Sequence, residues 1–249
     1  MKLVAFDLDD TLAPSKSALP EQVDAALTRL LQKTDVLVIS GGTIDQFRAQ
    51  LLSNLHANEE QLLRLHLMPT CGTRYYLRSK ENWDLQYSHD LDVEQKQRIM
   101  EALETTSREL GFWVNDPAGE IIEDRGSQIT YSALGQQARL EDKRAWDPTG
   151  EKKAALRDAV APLIPDLEVR SGGSTSVDVT LKGVDKAYGM QKIMEQTGYA
   201  KDEIVFIGDR LDPDGNDYPV KAAGFETISV SGWEETPRVI DDLINTRLS

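Results

Sequence analysis

The 249-residue sequence contains one cysteine, Cys71, and three histidines. A single cysteine excludes an internal disulfide and the usual cysteine-rich zinc sites. Cysteine nucleophiles work with a nearby base, commonly histidine, and none of the three histidines lies in a sequence context typical of that role. We therefore expect Cys71 to be a buried structural thiol, because free cysteines behave in proteins as small apolar residues.

Positively charged residues are also scarce, since 28 lysines and arginines stand against 42 aspartates and glutamates and leave a net charge of −14. Charge of this sign repels nucleic-acid phosphates and anionic membranes. No segment reaches the roughly 18 consecutive apolar residues typical of a transmembrane helix, and the apolar run at residues 3–6 is too short for a signal peptide. We expect a cytoplasmic protein without nucleic-acid or membrane partners.

What the sequence does contain is a series of short, continuous apolar runs. Runs of this kind are typical of strands that are buried on both faces of a parallel sheet. They lie at residues 3–6, 36–39, 65–68, 204–207 and 227–230. A helical pattern covers residues 20–33, between the first two runs. The alternation predicts an α/β fold with a doubly wound parallel sheet, in which ligands bind at the carboxyl ends of the strands.

The middle of the chain has a different pattern. Two segments alternate between apolar and polar residues, as half-buried strands of an antiparallel sheet do, and two helical stretches could cover their apolar face. The two predicted strands lie at residues 127–134 and 174–182. The two predicted helices lie at residues 92–110 and 147–162. We predict a core domain formed by residues 1–79 and 184–249, with an α+β domain inserted at residues 80–183.

Polar side chains follow the ends of the predicted core strands. Asp7 and Asp9 come after the first strand, and Ser40 comes after the second. Lys186 follows the inserted segment, and Asp209 follows a late strand. One D-x-D pair says little, because the chain contains three of them and a solvated acidic turn is the ordinary alternative. Several such groups at strand ends that one sheet would bring together are a much stronger signal.

Phosphoryl transfer suits this set, because it needs a nucleophile, charge neutralisation on the phosphoryl oxygens and proton transfer at the leaving group. Asp7 could attack the phosphorus and form an aspartyl phosphate. Asp9 could protonate the leaving oxygen and later activate water. Asp7 and Asp209 offer oxygen ligands for Mg²⁺. Ser40, the N–H groups of its glycine-containing turn and Lys186 could donate to the phosphoryl oxygens.

In the order of these motifs the sequence resembles the haloacid dehalogenase superfamily of aspartate-nucleophile phosphotransferases. The matching segments are DLDDT at residues 7–11, Ser40, Lys186 and GDRLDPDGND at residues 208–217. The resemblance implies a Rossmann-like core with an inserted cap domain, a nucleophilic Asp7 and an acid/base Asp9. It also implies Mg²⁺ held by Asp7, the backbone carbonyl of Asp9 and Asp209. We expect Asn216 and Asp217 behind these ligands, with Asp217 orienting Lys186 or a metal-bound water.

The position and length of the insert resemble the α/β cap (type IIB) of the branch that contains sugar-phosphate phosphatases and the eukaryotic-type phosphomannomutases. The likeness to the mutases is the closer one, in the segments GGSTSVDVTLKGVDKAYG and GDRLDPDGNDYPV. Together with Gly41 of the SGGT turn, the substrate-binding residues expected on this basis are Lys16, Arg125, Lys143, Ser176 and Asp178. Arg125 and Lys143 would hold the distal phosphate, and Ser176 and Asp178 would face the sugar.

The sequence departs from the mutases at four of their positions. Asp10 stands where they have glycine, and Gln136 stands where they have a key arginine. Lys16 and Lys143 replace arginines, and lysine lacks the bidentate fork of arginine. These changes weaken the expected clamp on a second phosphate, whereas hydrolysis needs only one phosphate held at Asp7.

We therefore predict Mg²⁺-dependent hydrolysis of a small sugar phosphate through an aspartyl phosphate. The alternative is a phosphomannomutase-like isomerase that interconverts hexose 1- and 6-phosphates. A noncatalytic receiver or sugar-phosphate sensor fits poorly, because a receiver has its acceptor aspartate after a later strand and has no insert of this size. The expected partner is a small phosphorylated metabolite, and an exposed helix of the cap could support a homodimer.

Overall fold

The computed structural model describes residues 1–248. Its strands and helices, in chain order, are β1 (Leu3–Phe6), α1 (Glu21–Leu31), β2 (Asp35–Ile39), α2 (Ile44–Gln50), α3 (Glu59–Leu62), β3 (Leu65–Met68), β4 (Arg74–Ser79), β5 (Asn82–Ser88), α4 (Val93–Glu109), β6 (Ile122–Asp124), β7 (Gln128–Ser132), α5 (Leu140–Trp146), α6 (Glu151–Val160), β8 (Leu167–Ser171), β9 (Ser176–Leu181), α7 (Lys186–Thr197), β10 (Ile204–Gly208), α8 (Tyr218–Ala222), β11 (Glu226–Ser229) and α9 (Thr236–Arg247). The chain divides into two compact units: Met1–Ser88 together with the residues from Asp185 onward, and His89–Val184.

The first unit contains a seven-stranded sheet in the order β11-β10-β1-β2-β3-β4-β5. The strands from β11 to β3 are parallel, and β4 and β5 are antiparallel to their neighbours. β1 lies between β2 and β10, and Leu3 pairs with Asp35 on one side and with Ile204 on the other. This sheet confirms the predicted α/β fold.

The short first strand illustrates why a continuous apolar run predicts this kind of sheet. Val4 and Phe6 pack into one hydrophobic cluster with residues of α1 and α9, whereas Leu3 and Ala5 pack into another with residues of α7 and α8. All four side chains are fully buried. Burying a large aliphatic or aromatic side chain stabilises a fold by about 1.5–3 kcal/mol. Helices therefore cover both faces of the sheet, as a doubly wound fold requires.

The first unit extends further along the chain than the sequence pattern predicts. β4 and β5 form a hairpin at the edge of the large sheet, with Arg74 opposite Ser88 and Ser79 opposite Asn82. Residues 80–88 therefore belong to the first unit, and the division falls after Ser88 rather than at residue 80. The physical reason is that β5 is an edge strand with mostly exposed side chains, so it lacks the apolar run that marks the inner strands.

The second unit is an α+β arrangement around a four-stranded antiparallel sheet in the order β6-β7-β9-β8. Side chains of α4 and α6 pack with the apolar residues of β7 and β9 in one cluster. β7 is buried on both faces rather than half-buried as predicted. Its polar side chains pair instead with one another and with β9: Gln128 donates to Thr130, and Thr130 donates to Asp178.

The longest helix, α4, spans 17 residues, and no helix among residues 1–248 is long and apolar enough to cross a bilayer.

Asp35, at the amino end of β2, belongs to a cluster of polar side chains from neighbouring segments of the first unit. Tyr199, after α7, donates its hydroxyl to Asp35 Oδ2 at 2.7 Å, and His66 Nε2 lies 3.7 Å from the same oxygen. The other ring nitrogen of His66 lies 2.7 Å from the Tyr75 hydroxyl. Burial raises the pKa of Asp35, but the neighbouring His66 and the hydrogen bond from Tyr199 outweigh it and hold the pKa below its ordinary value.

Tyr199→Phe should lower the free energy of unfolding by about 1.5–3 kcal/mol near neutral pH, because it deletes a hydrogen bond to a charged group. A carboxyl whose pKa is lowered on folding stabilises the protein above its unfolded-state pKa, and this stabilisation is lost as the pH falls through the folded-state value. The difference between wild type and Tyr199→Phe should therefore shrink below about pH 4. Urea unfolding followed by circular dichroism measures both.

Tyr76→Phe is the matched control, because the Tyr76 side chain is buried and its hydroxyl has no hydrogen bond within residues 1–248. This control should leave the free energy of unfolding nearly unchanged. Equal losses in the two variants, or a Tyr199→Phe loss that does not depend on pH, would contradict the assignment.

Candidate active site

The carboxyl ends of three neighbouring parallel strands supply the centre of the site. Asp7 follows β1, Ser40 follows β2 and Asp209 follows β10. Because β1 pairs with both β2 and β10, these ends lie side by side, and the Asp7 N–H donates to the Ile207 carbonyl of β10 at 3.1 Å. The sheet thus brings together residues that are far apart in the sequence, at the edge where such sheets bind ligands.

Lys186 lies at the middle of this centre. Its Nζ is 2.7 Å from Asp7 Oδ1 and 2.5 Å from Asp217 Oδ1, and all three side chains are almost completely buried. Burial lowers the pKa of Lys186, but the two carboxylates outweigh it and hold the pKa above its ordinary value, so the ammonium stays charged. Asp217 also accepts a hydrogen bond from the Arg210 N–H at 3.1 Å through its other oxygen.

Two glycines allow the first turn of α7 to pack closely enough for Lys186 to reach Asp7 and Asp217. Gly72, in the turn after β3, has a φ of +83°, and a Cβ on it would overlap the Cα of Gly189 in the first turns of α7. A Cβ on Gly189 would in turn overlap Ile39 at the end of β2. The helix itself begins at Lys186, with the Asp185 side chain accepting from the Tyr188 N–H at 3.0 Å. The sequence pattern does not identify this close approach, although a glycine inside a helical segment is a signal for one.

Three carboxylates form a cluster that could hold a metal ion. Asp7, Asp209 and Asp217 each offer one oxygen, and these oxygens lie within 4.8 Å of one another. Burial raises the pKa of Asp7 well above its ordinary value while Lys186 opposes this, and burial and then the Asp217 carboxylate raise the pKa of Asp209. Three carboxylates facing a single ammonium leave an excess of negative charge. An all-oxygen donor set with such an excess fits a divalent cation such as Mg²⁺.

The acidic cluster differs from the expected ligand set in its third member. The resemblance implies Asp7, Asp209 and the backbone carbonyl of Asp9 as ligands. The cluster contains the first two side chains and adds the carboxylate of Asp217. Thr11 Oγ1 donates to Asp209 at 3.2 Å and so orients the half-buried member. Asn216, which we expected beside Asp217, is exposed.

The Asp9 carboxylate, two residues after Asp7, accepts hydrogen bonds at both of its oxygens. It accepts from the Lys16 backbone N–H at 2.8 Å, from Gln50 Nε2 at 3.0 Å and from Gln46 Nε2 at 2.9 Å. Both glutamines belong to α2, and neither is part of a recognisable sequence motif. Lys16 itself has an exposed side chain. Asp10 is exposed with a φ of 62° and accepts from the Ser15 N–H at 3.2 Å, so it is a turn residue.

The loop after β2 lies beside the turn that contains Cys71. Ser40 is buried, and its Oγ accepts from the Gly42 N–H at 3.2 Å. The Cys71 N–H donates to the Ser40 carbonyl at 2.9 Å, and a Cβ on the half-buried Gly41 would lie 4.0 Å from the Cys71 sulfur. Cys71 is partly exposed, so the expectation of a buried thiol is wrong. Cys71 lies in the turn between β3 and β4, with a φ of 55°, rather than in a strand of the core.

The remaining predicted substrate residues belong to the second unit. Arg125 pairs with Glu123 at 2.7 Å, and the buried Lys143 donates its Nζ to the Gln136 carbonyl at 2.9 Å. The Gln136 side-chain nitrogen is buried without a hydrogen-bond partner among residues 1–248. Two further residues, Ser176 and Asp178, are half-buried members of β9, and Asp178 accepts from Thr130 at 2.7 Å.

This chain is similar in sequence and in fold to known proteins. The sequence profile of the haloacid dehalogenase-like hydrolases matches residues 4–219. A phosphomannomutase of Saccharomyces cerevisiae is 26% identical over 250 residues, which cover 98% of this chain and 94% of that protein. A phosphomannomutase of Arabidopsis thaliana is 26% identical over 245 residues, covering 88% and 86%. The N-terminally truncated IMP-nucleotidase of Plasmodium falciparum has a TM-score of 0.70 at 18% identity, over 100% of this chain and 71% of that chain, a likeness of fold alone.

Asp209→Asn should remove the cation site without unfolding the protein, because asparagine keeps an acceptor for Thr11 and removes one of the three clustered carboxylates. A ligand at about 100 times its Kd stabilises the folded state by about 2.7 kcal/mol. We therefore expect saturating Mg²⁺ to raise the Tm of the wild type in scanning calorimetry, and Asp209→Asn to lose most of this gain.

Asp212→Asn provides the matched control for the metal site. Asp212 lies in the same acidic loop, but it is exposed and pairs with Arg210. This variant should keep the full gain in Tm with Mg²⁺. An equal gain in Asp209→Asn and the wild type would contradict the metal assignment.

Proposed function

This chain belongs to the haloacid dehalogenase-like hydrolase family, and we propose that it transfers the phosphoryl group of a small phosphorylated sugar through an aspartyl phosphate on Asp7. One observation carries the proposal: the Asp7 carboxylate follows the carboxyl end of β1, held by the buried Lys186 within a cluster of oxygen ligands. A fixed nucleophile beside a preorganised cation is the arrangement that phosphoryl transfer requires.

The proposed reaction has two steps. A carboxylate oxygen of Asp7 attacks the phosphorus while the bond from phosphorus to the sugar oxygen breaks, and Asp9 gives its proton to that oxygen. In the second step Asp9 takes a proton from an acceptor hydroxyl, whose oxygen attacks the phosphorus and frees Asp7. The Ser40 hydroxyl and the Lys186 ammonium donate to the phosphoryl oxygens. A divalent cation held by Asp7, Asp209 and Asp217 would neutralise charge on the phosphoryl group.

The acceptor in the second step decides between two functions. If the acceptor is another hydroxyl of the sugar, the reaction isomerises a hexose phosphate, and if it is water, the reaction is hydrolysis. The sequence pattern ranks hydrolysis first, but the relatives favour isomerisation, since proteins named phosphomannomutase match nearly the whole chain and nearly their own whole length. We therefore place phosphomannomutase-like isomerisation of hexose 1- and 6-phosphates first.

Hydrolysis is the second candidate, and the polar residues of the second unit favour it. Between the two steps of an isomerisation the sugar carries a phosphate at each end, so an isomerase must also hold the distal phosphate. At the cap positions expected to do so, Gln136 is a neutral amide and Arg125 already pairs with Glu123. Lys143 donates its Nζ to a backbone carbonyl, that of Gln136. One phosphate held at Asp7 is enough for hydrolysis.

Phosphorus NMR separates these functions. Wild-type protein with Mg²⁺, mannose 1-phosphate and a catalytic amount of hexose bisphosphate should form mannose 6-phosphate, with little inorganic phosphate. Asp7→Asn should form neither product, and Asp10→Asn should keep the activity because Asp10 is an exposed turn residue.

Inorganic phosphate as the only product would select hydrolysis. Turnover by Asp7→Asn at the wild-type rate would contradict the nucleophile assignment for both functions. A panel of other phosphorylated sugars, scored for both products, identifies the substrate.

A further inference from the structure

We propose that Gln46 and Gln50 are positioning residues that hold the Asp9 carboxylate for proton transfer. The inference rests on the proposed function, in which Asp9 serves as acid and base, but it assigns a role to two residues that the sequence motifs do not include. Both lie on α2, which begins after the Ser40 turn and ends at Gln50.

The two glutamines fix both oxygens of the Asp9 carboxylate. Gln50 Nε2 donates to Oδ1 at 3.0 Å, where the Lys16 N–H also donates, and Gln46 Nε2 donates to Oδ2 at 2.9 Å. The amides are joined as well, because Gln46 Nε2 lies 3.0 Å from Gln50 Oε1. A carboxylate held at both oxygens cannot rotate freely, and a small misplacement of a catalytic group can lower a rate by about 100-fold.

The local backbone is shaped to place these amides. Residues four positions apart lie on the same face of a helix, so Gln46 and Gln50 point to the same side of α2. Thr43 caps the helix by accepting from the Gln46 N–H at 3.4 Å. A Cβ on Gly42 would overlap the Gln46 amide oxygen, so glycine at position 42 leaves the space in which this side chain lies. Gln50 is 3% exposed, so water has little access to its amide.

An amide has the right hydrogen-bonding capacity for this role. A carboxylate only accepts hydrogen bonds, whereas a carboxylic acid also donates one. A glutamine amide can donate to a carboxylate through its nitrogen and accept from a carboxylic acid through its oxygen. A lysine or arginine at the same place could only donate. Two neutral amides can therefore keep Asp9 in place throughout the two-step reaction.

Substrates with different leaving groups distinguish a positioning role of the two glutamines from a merely structural one. A hexose phosphate releases a poor leaving group that needs a proton from Asp9, whereas para-nitrophenyl phosphate releases a phenolate that departs without one. General acid catalysis typically contributes about 10²–10⁴ in rate. Variants that misplace Asp9 should therefore lose more activity on the hexose phosphate than on the aryl phosphate.

The experiment compares Gln46→Leu and Gln50→Leu with Gln61→Leu. Gln61 is also buried and donates its amide to a backbone carbonyl, that of Thr28, but it belongs to α3 and does not contact Asp9. For the two α2 variants we expect kcat/KM to fall at least about tenfold more on the hexose phosphate than on para-nitrophenyl phosphate. For Gln61→Leu we expect the same factor on both substrates. Circular dichroism checks that each variant is folded.

Equal losses on both substrates in the α2 variants would overturn the inference. Asp9→Asn, measured in parallel, separates this failure from that of the proposed function: if Asp9→Asn loses activity selectively on the hexose phosphate and the glutamine variants do not, only the inference fails. If wild-type protein acts on neither substrate, the proposed function fails. A crystal structure of the Gln46→Leu, Gln50→Leu double variant then tests positioning directly, and an Asp9 carboxylate that keeps its position would overturn it.

Discussion

The buried contact of Lys186 with Asp7 and Asp217 is the interaction on which the rest of the site depends. Removing an ammonium and two carboxylates from water is unfavourable, and only close pairing offsets it. Deleting one member of a buried pair typically destabilises a protein by about 3–5 kcal/mol. With Asp209 added, three carboxylates face one ammonium. The folded chain therefore presents a negatively charged cluster that a divalent cation, and then a phosphoryl group bound to it, would complete.

The scaffold is arranged to make this contact between distant segments. β1 lies between β2 and β10, so Asp7 lies between the ends of these two strands. The close approach of Gly72 and Gly189 lets α7 bring Lys186 to it. Asp9 lies just beyond, held by amides rather than by charges. The two carboxylates of the first motif are thus separated by their partners: Asp7 faces a cation, and Asp9 faces neutral donors. That division matches a nucleophile and an acid/base in the proposed reaction.

Much of the fold and of the centre of the site could be predicted from the sequence, for a physical reason. A strand buried on both faces must be apolar throughout, so the inner strands and the polar residues at their ends are visible in the pattern, as β1 and Asp7 show. The edge strand β5 is exposed and has no such pattern. Gln46 and Gln50 carry no charge and lie on a short helix, so nothing in their spacing distinguishes them from surface residues. The Asp217 carboxylate joins the acidic cluster through the fold of its loop, which periodicity does not predict.

Whether Asp7 carries the phosphoryl group can be measured most directly by chemical trapping. Wild-type protein is mixed with substrate and Mg²⁺, quenched within milliseconds and treated with borohydride, which reduces an aspartyl phosphate to homoserine. Peptide mass spectrometry should find homoserine at position 7 and at no other aspartate. Homoserine at another position, or none at position 7 under conditions of turnover, would contradict an aspartyl phosphate on Asp7.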